Sequence, residues 1–239
     1  MARLNLDIEY NAEMSTRSMP FAPQEWFHCY NRGVDKRTVF ENDSDYQRFL
    51  KLLYLTNSTK SIHLSDLYSK PFHEVLQIPR DEPLTAIGAF CLMPNHYHLL
   101  LKEVREGGIS LFMQKLATAY TMYFNIKNER TGSLFAGTFR SRHTKDDLYF
   151  QRVIRYIHCN PAELYESGWK YGKVKNIKRL RKQLLDYPYS SFACHTDTSH
   201  LNRIILDELV FDATIPSNPQ EMLREAVAYY EEINGKVKP

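Results

Sequence analysis

The sequence predicts an α+β fold, a ferredoxin-like βαββαβ antiparallel sheet with helices on one face, followed by a further helix and a C-terminal helical extension. Three observations predict it. Two apolar runs within 84–104 are split by Met93, Pro94 and Asn95, which are the makings of a turn between two mostly buried strands. Segments 44–58 and 107–132, one on each side of that hairpin, repeat apolar residues at helical spacing. Short strand-like runs at 25–33 and 134–145 then open and close the pattern.

Taken in order, EWFHCYNRG (25–33) is aromatic and closes on Asn31, Arg32 and Gly33, as a strand entering a turn does. Asp43 and Ser44 are candidate N-caps for a first helix in which Tyr46, Phe49, Leu50 and Leu53 form the apolar stripe. Residues 58–83 are polar, contain Pro71, Pro79 and Pro83, and read as a long connection with room for a short helix. After the hairpin, the second helix sets Leu111, Phe112, Leu116, Tyr120 and Tyr123 on one side, with Gly132 as its stop. A strand over 134–145 leads to a third helix, 146–161, which begins on acidic residues and ends before Pro161. Further helical periodicity recurs around 219–233, in an acidic tail.

Composition limits the function classes. With 43% hydrophobic and 25% charged residues in 239, the chain is that of a globular protein and not a disordered or collagen-like one. A formal charge of +3 is too small to announce a nucleic-acid binder from the total alone, so the distribution of charge decides. Lys170, Lys173, Lys175, Lys178, Arg179, Arg181 and Lys182 form a basic block with no acidic residue before Asp186. Such a block is a solvated helix face or a phosphate-contacting surface. Cys29, Cys91, Cys159 and Cys194 lie far apart without a CxxC pair, which fits reduced thiols in a cytoplasm and neither a zinc ribbon nor a disulfide framework. The first twenty residues lack the apolar run of a signal peptide, and nothing resembles a membrane span, so a cytoplasmic location is expected.

His96 and His98 stand two apart on a predicted strand, so both imidazoles point to one face. Alone this is a common chance pattern. On the third helix, Tyr156 and Asn160 stand four apart and share a face, although a helical tyrosine is ordinarily a packing residue. If that face looks onto the histidine pair, two nitrogens, one amide oxygen and a phenol meet. Two histidines and a neutral oxygen leave open positions for a divalent ion such as Mg²⁺ or Mn²⁺ that completes its shell with phosphate and water. Structural zinc would need four closed ligands.

The runs NRGVDKRTVF (31–40), CLMPNHYHLLL (91–101), YTMYFN (120–125), RYIHCNPAELYESGW (155–169) and YPYSSF (187–192) resemble, in this order, the IS200-like Y1 tyrosine transposases, and more narrowly their REP-associated branch. The resemblance spans roughly residues 24–195. It implies that Tyr156 is the nucleophile and that His96, His98 and Asn160 hold a divalent metal, Mg²⁺ or Mn²⁺. Tyr120 and Tyr123 are rival nucleophiles, but their apolar stripe favours packing. His158 and His143 are candidate bases for activating Tyr156. The partner implied is single-stranded DNA in hairpin-forming palindromic repeats, contacted by the 170–182 block with help from Arg140 and Arg142. A monomer is favoured, with a dimer as the alternative, and no small-molecule cofactor is expected.

The division that follows is a leader (1–24), a catalytic domain (25–195) containing the basic segment, and a helical tail (196–239). The activity implied is cleavage and rejoining of single-stranded DNA through a 5′-phosphotyrosine bond. A catalytically silent hairpin-DNA-binding regulator and a metal-dependent nuclease that hydrolyses with water are the competing readings.

Overall fold

The computed structural model describes residues 20–60, 70–212 and 218–234. Parts of the leader, of the 58–83 connection and of the tail lie outside the described residues. Four strands, β1 (Trp26–Arg32), β2 (Ala86–Met93), β3 (His96–Lys102) and β4 (Arg140–His143), form one sheet in the order β2-β3-β1-β4. All neighbours are antiparallel. Between them run α1 (Asp43–Leu55), a one-turn α2 (Phe72–Val75) and α3 (Gly108–Lys127). After the sheet come α4 (Asp147–Cys159), α5 (Ala162–Tyr165), α6 (Ile177–Leu185) and α7 (Pro219–Asn234). The βαββαβ order is therefore the predicted one.

The two crossover helices cover one face of the sheet. Phe49, Leu50 and Leu53 of α1 and Ile109, Phe112, Leu116 and Tyr120 of α3 are buried against Phe27, Cys29, Tyr97, Leu99 and Leu101. Leu111, predicted on this stripe, instead faces solvent at 44% exposure, because the buried row runs through Ile109, Phe112 and Met113. Residues of the opposite parity, among them Ala89, Cys91, Met93 and Leu100, look to the other face, where α4 and α7 lie with Trp169, Leu180 and Phe192. Alternation along each strand thus feeds two cores, one per face.

Several ends differ from the sequence expectation, each for a local reason. Asn42, not Asp43 or Ser44, caps α1 by accepting from the Asp45 amide. Helix α3 stops at Lys127 instead of running to Gly132. There Glu129 turns into the left-handed region at φ +48°, and the Arg130 amide donates back to the Asn125 carbonyl at 2.9 Å, which closes the helix end. Strand β4 is only four residues long; Gly137, at φ +76°, breaks the extended chain before it, leaving Phe135 in an isolated bridge to Gly33. Helix α4 starts as predicted on an acidic cap, Asp146 accepting from the Tyr149 amide at 2.8 Å. No described helix is long and apolar enough to cross a membrane.

Candidate active site at the meeting of sheet and fourth helix

On the α4 side of the sheet, register fixes which side chains are neighbours. His98 lies opposite Tyr30, His96 opposite Arg32, and Tyr30 and His28 opposite Arg140 and Arg142 of the edge strand. Opposed residues share a face, so one surface carries both histidines, three arginines, Tyr30 and His28. Aromatic contact links this surface to the helix: the Tyr156 ring lies 5.4 Å from the His98 ring and 5.8 Å from that of His28. Asn160, one turn later, donates through Nδ2 to the Tyr156 carbonyl at 2.9 Å, which leaves its Oδ1 for the site. That amide interacts with both His96 and His98. The four side chains singled out in the sequence are therefore brought together.

The histidines are buried and neutral. Burial pulls His98 down to about 3, with the Lys170 ammonium adding to the effect. Burial, then the neighbouring His98, Arg32 and Lys170, hold His96 well below its ordinary value. His96 Nδ1 contacts Asn95 Oδ1 at 2.6 Å; an amide oxygen only accepts, so the imidazole proton sits on Nδ1 and Nε2 keeps its lone pair. His98 Nδ1 lies 2.8 Å from His28 Nε2. The Nε2 atoms of both His96 and His98 are buried and make no well-formed hydrogen bond. Two orphaned imidazole nitrogens beside an amide oxygen fit a divalent ion with open positions. Among the described residues no cluster of three or more His, Cys, Asp or Glu is placed to hold a metal, so any metal capacity here rests on this mixed set.

Tyr156 is 3% exposed. Tyr229 and Tyr230 of α7 and Trp169 surround its ring at 5.0, 6.4 and 6.4 Å. Burial pushes the phenol's pKa far up, so it is held protonated. The rival phenols lie across the sheet, Tyr120 donating to the Val39 carbonyl and Tyr123 to Asp45. Neither candidate base reaches Tyr156. His158 points to the far side of α4, with Nε2 2.9 Å from Ser191 Oγ, and His143 pairs with Glu25 on the other face of the sheet.

The predicted cations divide. Lys173, Lys175, Lys178, Arg179 and Lys182 are exposed on α6 or on the turn before it, while Arg181 is half-buried. Arg142 is exposed on the edge strand and donates to the Ile233 carbonyl; Arg140 beside it is half-buried. Lys170 is different: it is 8% exposed, ion-paired with Glu163, and its ammonium lies 5.0 Å over the Tyr230 ring. It belongs to the site's wall and not to its outer surface. Sequence reasoning missed His28, Tyr30 and Arg32, whose i, i+2 spacing on β1 was a usable signal. It also missed Tyr229, Tyr230 and Glu163, for which only the fold brings the partner near.

Residues 28–160, more than half of the chain, match the family model described as transposase, IS200 like. The structure of a REP-associated tyrosine transposase bound to a REP hairpin resembles this chain at 16% identity and a TM-score of 0.49, covering 85% of this chain and 96% of that one. No curated protein matches the chain.

Proposed function

Because the chain belongs to the IS200-like transposase family, we propose that it nicks and rejoins single-stranded DNA at hairpins or palindromic repeats, with Tyr156 as the nucleophile. The observation that carries the reading is the convergence of Tyr156 and Asn160 from α4 onto the His96 and His98 pair of β3. In this reading the Tyr156 hydroxyl attacks a backbone phosphorus. An oxygen–phosphorus bond to tyrosine forms, the bond to the 3′ oxygen breaks, and that oxygen leaves as a 3′-hydroxyl after taking a proton. The covalent bond keeps the phosphodiester's energy, so the return attack by a 3′-hydroxyl rejoins the strand without ATP.

His96, His98 and Asn160 would hold a divalent metal ion such as Mg²⁺ or Mn²⁺, which when bound supplies Lewis-acid stabilisation of the phosphate oxygens. The chain's own residues do the rest. The amide of Asn160 is tied to the carbonyl of Tyr156, so ligand and nucleophile keep a fixed relation. Arg32 and Lys170 place positive charge beside the histidines, where a phosphate would lie. Trp169, Tyr229 and Tyr230 exclude water from Tyr156, which protects a phosphotyrosine bond from hydrolysis. The exposed lysines of the 173–182 stretch and Arg142 are the phosphate contacts that position the strand.

Labelled single-stranded hairpin DNA incubated with the protein and Mn²⁺ tests the reading. A covalent protein–DNA adduct that is lost in Tyr156→Phe is the expected result. Free cleaved product from Tyr156→Phe would mean hydrolysis by water, and binding without any cleavage by the wild type would mean a regulator.

A further inference from the structure

We propose that a groove between the 171–177 turn and α7 is a stacking subsite for unpaired nucleotides beside the hairpin, with Tyr171 as the ring on which a base lies and Lys175 and Arg224 as its phosphate contacts. The inference deepens the DNA reading above and rests on it. The groove is built from residues after 160, outside the part of the chain that matches the family model. Its hollow of about 590 Å³ is lined by Tyr171, Val174, Lys175, Leu223, Arg224 and Val227, among others. A smaller hollow of about 420 Å³ shares Val174 and Lys175 with it and adds Tyr165 and Lys173.

Local geometry explains why Tyr171 faces outward. The turn Trp169–Tyr171 buries its first two residues, with the Trp169 ring 6.4 Å from that of Tyr156 and the Lys170 ammonium over Tyr230. Gly172, at φ +68°, closes the turn by donating its amide to the Trp169 carbonyl at 2.9 Å. Tyr171 is left 44% exposed, and Tyr165 is 40% exposed. Among the described residues neither ring packs on another aromatic ring, and the exposed Lys173, Lys175 and Arg224 make no ion pair. One turn thus walls the Tyr156 site on its inner side and forms the groove on its outer side, with neighbouring Cα atoms about 3.8 Å apart. A strand held at Tyr156 therefore has adjacent nucleotides close to the groove.

The mixture of side chains selects the occupant. Exposed rings interleaved with uncompensated cations are what holds a single strand, the rings stacking on bases and the cations following the phosphates. A duplex offers phosphates but no free base face, so only unpaired nucleotides use both. Glu231 also lines the groove, seven residues beyond Arg224 on α7 and so about 10 Å further along the helix. Its carboxylate repels phosphate, which keeps the backbone at the Arg224 and Lys175 end.

Binding of the full chain to two DNAs, a blunt hairpin and the same hairpin with unpaired flanks, tests the subsite without any cleavage step when divalent metal is left out. The flanks should tighten wild-type binding. Tyr171→Ala should weaken binding of the flanked hairpin about fivefold or more and leave the blunt one unchanged, while Tyr171→Phe, which keeps the ring, should bind both as the wild type does. Arg224→Gln should weaken binding of the flanked hairpin and lower its salt slope by up to about 0.7. Photocrosslinking from 5-iododeoxyuridine in the flank gives a readout independent of affinity, and the adduct should map to the 165–175 stretch. Wild-type affinity of Tyr171→Ala for the flanked hairpin, or an adduct only outside that stretch, overturns the proposal. A wild type that binds the two DNAs equally overturns the subsite alone, and one that binds neither overturns the DNA reading itself.

Discussion

Asn160 shows how much one side chain does in this site. Its Nδ2 donates to the Tyr156 carbonyl and its amide interacts with the histidine pair, so in the proposed function the residue couples nucleophile to ligands. Asn160→Ala is expected to weaken Mn²⁺ binding about tenfold and to lower adduct formation by more, as measured by titration and by single-turnover cleavage. Another residue-level consequence concerns acid. His195 is pulled down to about 4 by burial and by Arg203. The unfolded chain binds that proton below about pH 6.5 and the folded chain only below about 4, so stability present above 6.5 is lost as pH falls through this window. The loss amounts to at most about 1.4 kcal/mol per pH unit, and chemical denaturation across pH 4–7 should show a shallower slope for His195→Phe. At this scale the sequence reveals parity but not surroundings. His96 and His98 were legible because i, i+2 on a strand means one face. Lys170 was not separable from its six basic neighbours, because charge type says nothing about burial; only Trp169, 0% exposed, and Glu163 place it inward.

Among the elements, α4 was the most legible, since an acidic start, a 3.6-residue stripe and a closing Asn-Pro step all agree. Helix α6 was legible as a charge pattern. Its buried residues are Leu180 and Leu184, and the exposed lysines lie on the remaining surface. Replacing Lys173, Lys175, Lys178 and Arg179 with Gln should weaken single-stranded DNA binding and flatten the plot of log affinity against log salt by up to about 0.7 for each phosphate no longer neutralised. An unchanged slope would remove this face from the DNA interface. The position of α7 was illegible for a physical reason: amphipathic spacing around 219–233 shows that one face is buried, but not against what. The structure sets that face on α4, with Glu225 ion-paired to Arg155 and Tyr229 beside Tyr156. Helix α3 is an element of stability and not of chemistry. Phe112→Ala should cost about 3–5 kcal/mol in denaturant melts through a cavity beneath the sheet, while Mn²⁺ affinity of the folded fraction stays unchanged.

Across the whole molecule, the sheet divides labour between its faces. The α1 and α3 side is an apolar core that holds the strands in register; the α4 and α7 side carries polar, titratable groups within a second core. The part of the chain that matches the family model ends at residue 160. The cover and wall of the site come from beyond it, from Trp169, Lys170, Tyr229 and Tyr230. The predicted nucleophile thus sits among other phenols, Tyr30 across the sheet face and the pair on α7. Which of them bonds to DNA is the most direct test of the account. Peptide mapping with fragmentation, on protein reacted with single-stranded hairpin DNA and Mn²⁺ and then nuclease-trimmed, should place the residual nucleotide on Tyr156. A nucleotide on Tyr30, Tyr229 or Tyr230 would contradict it.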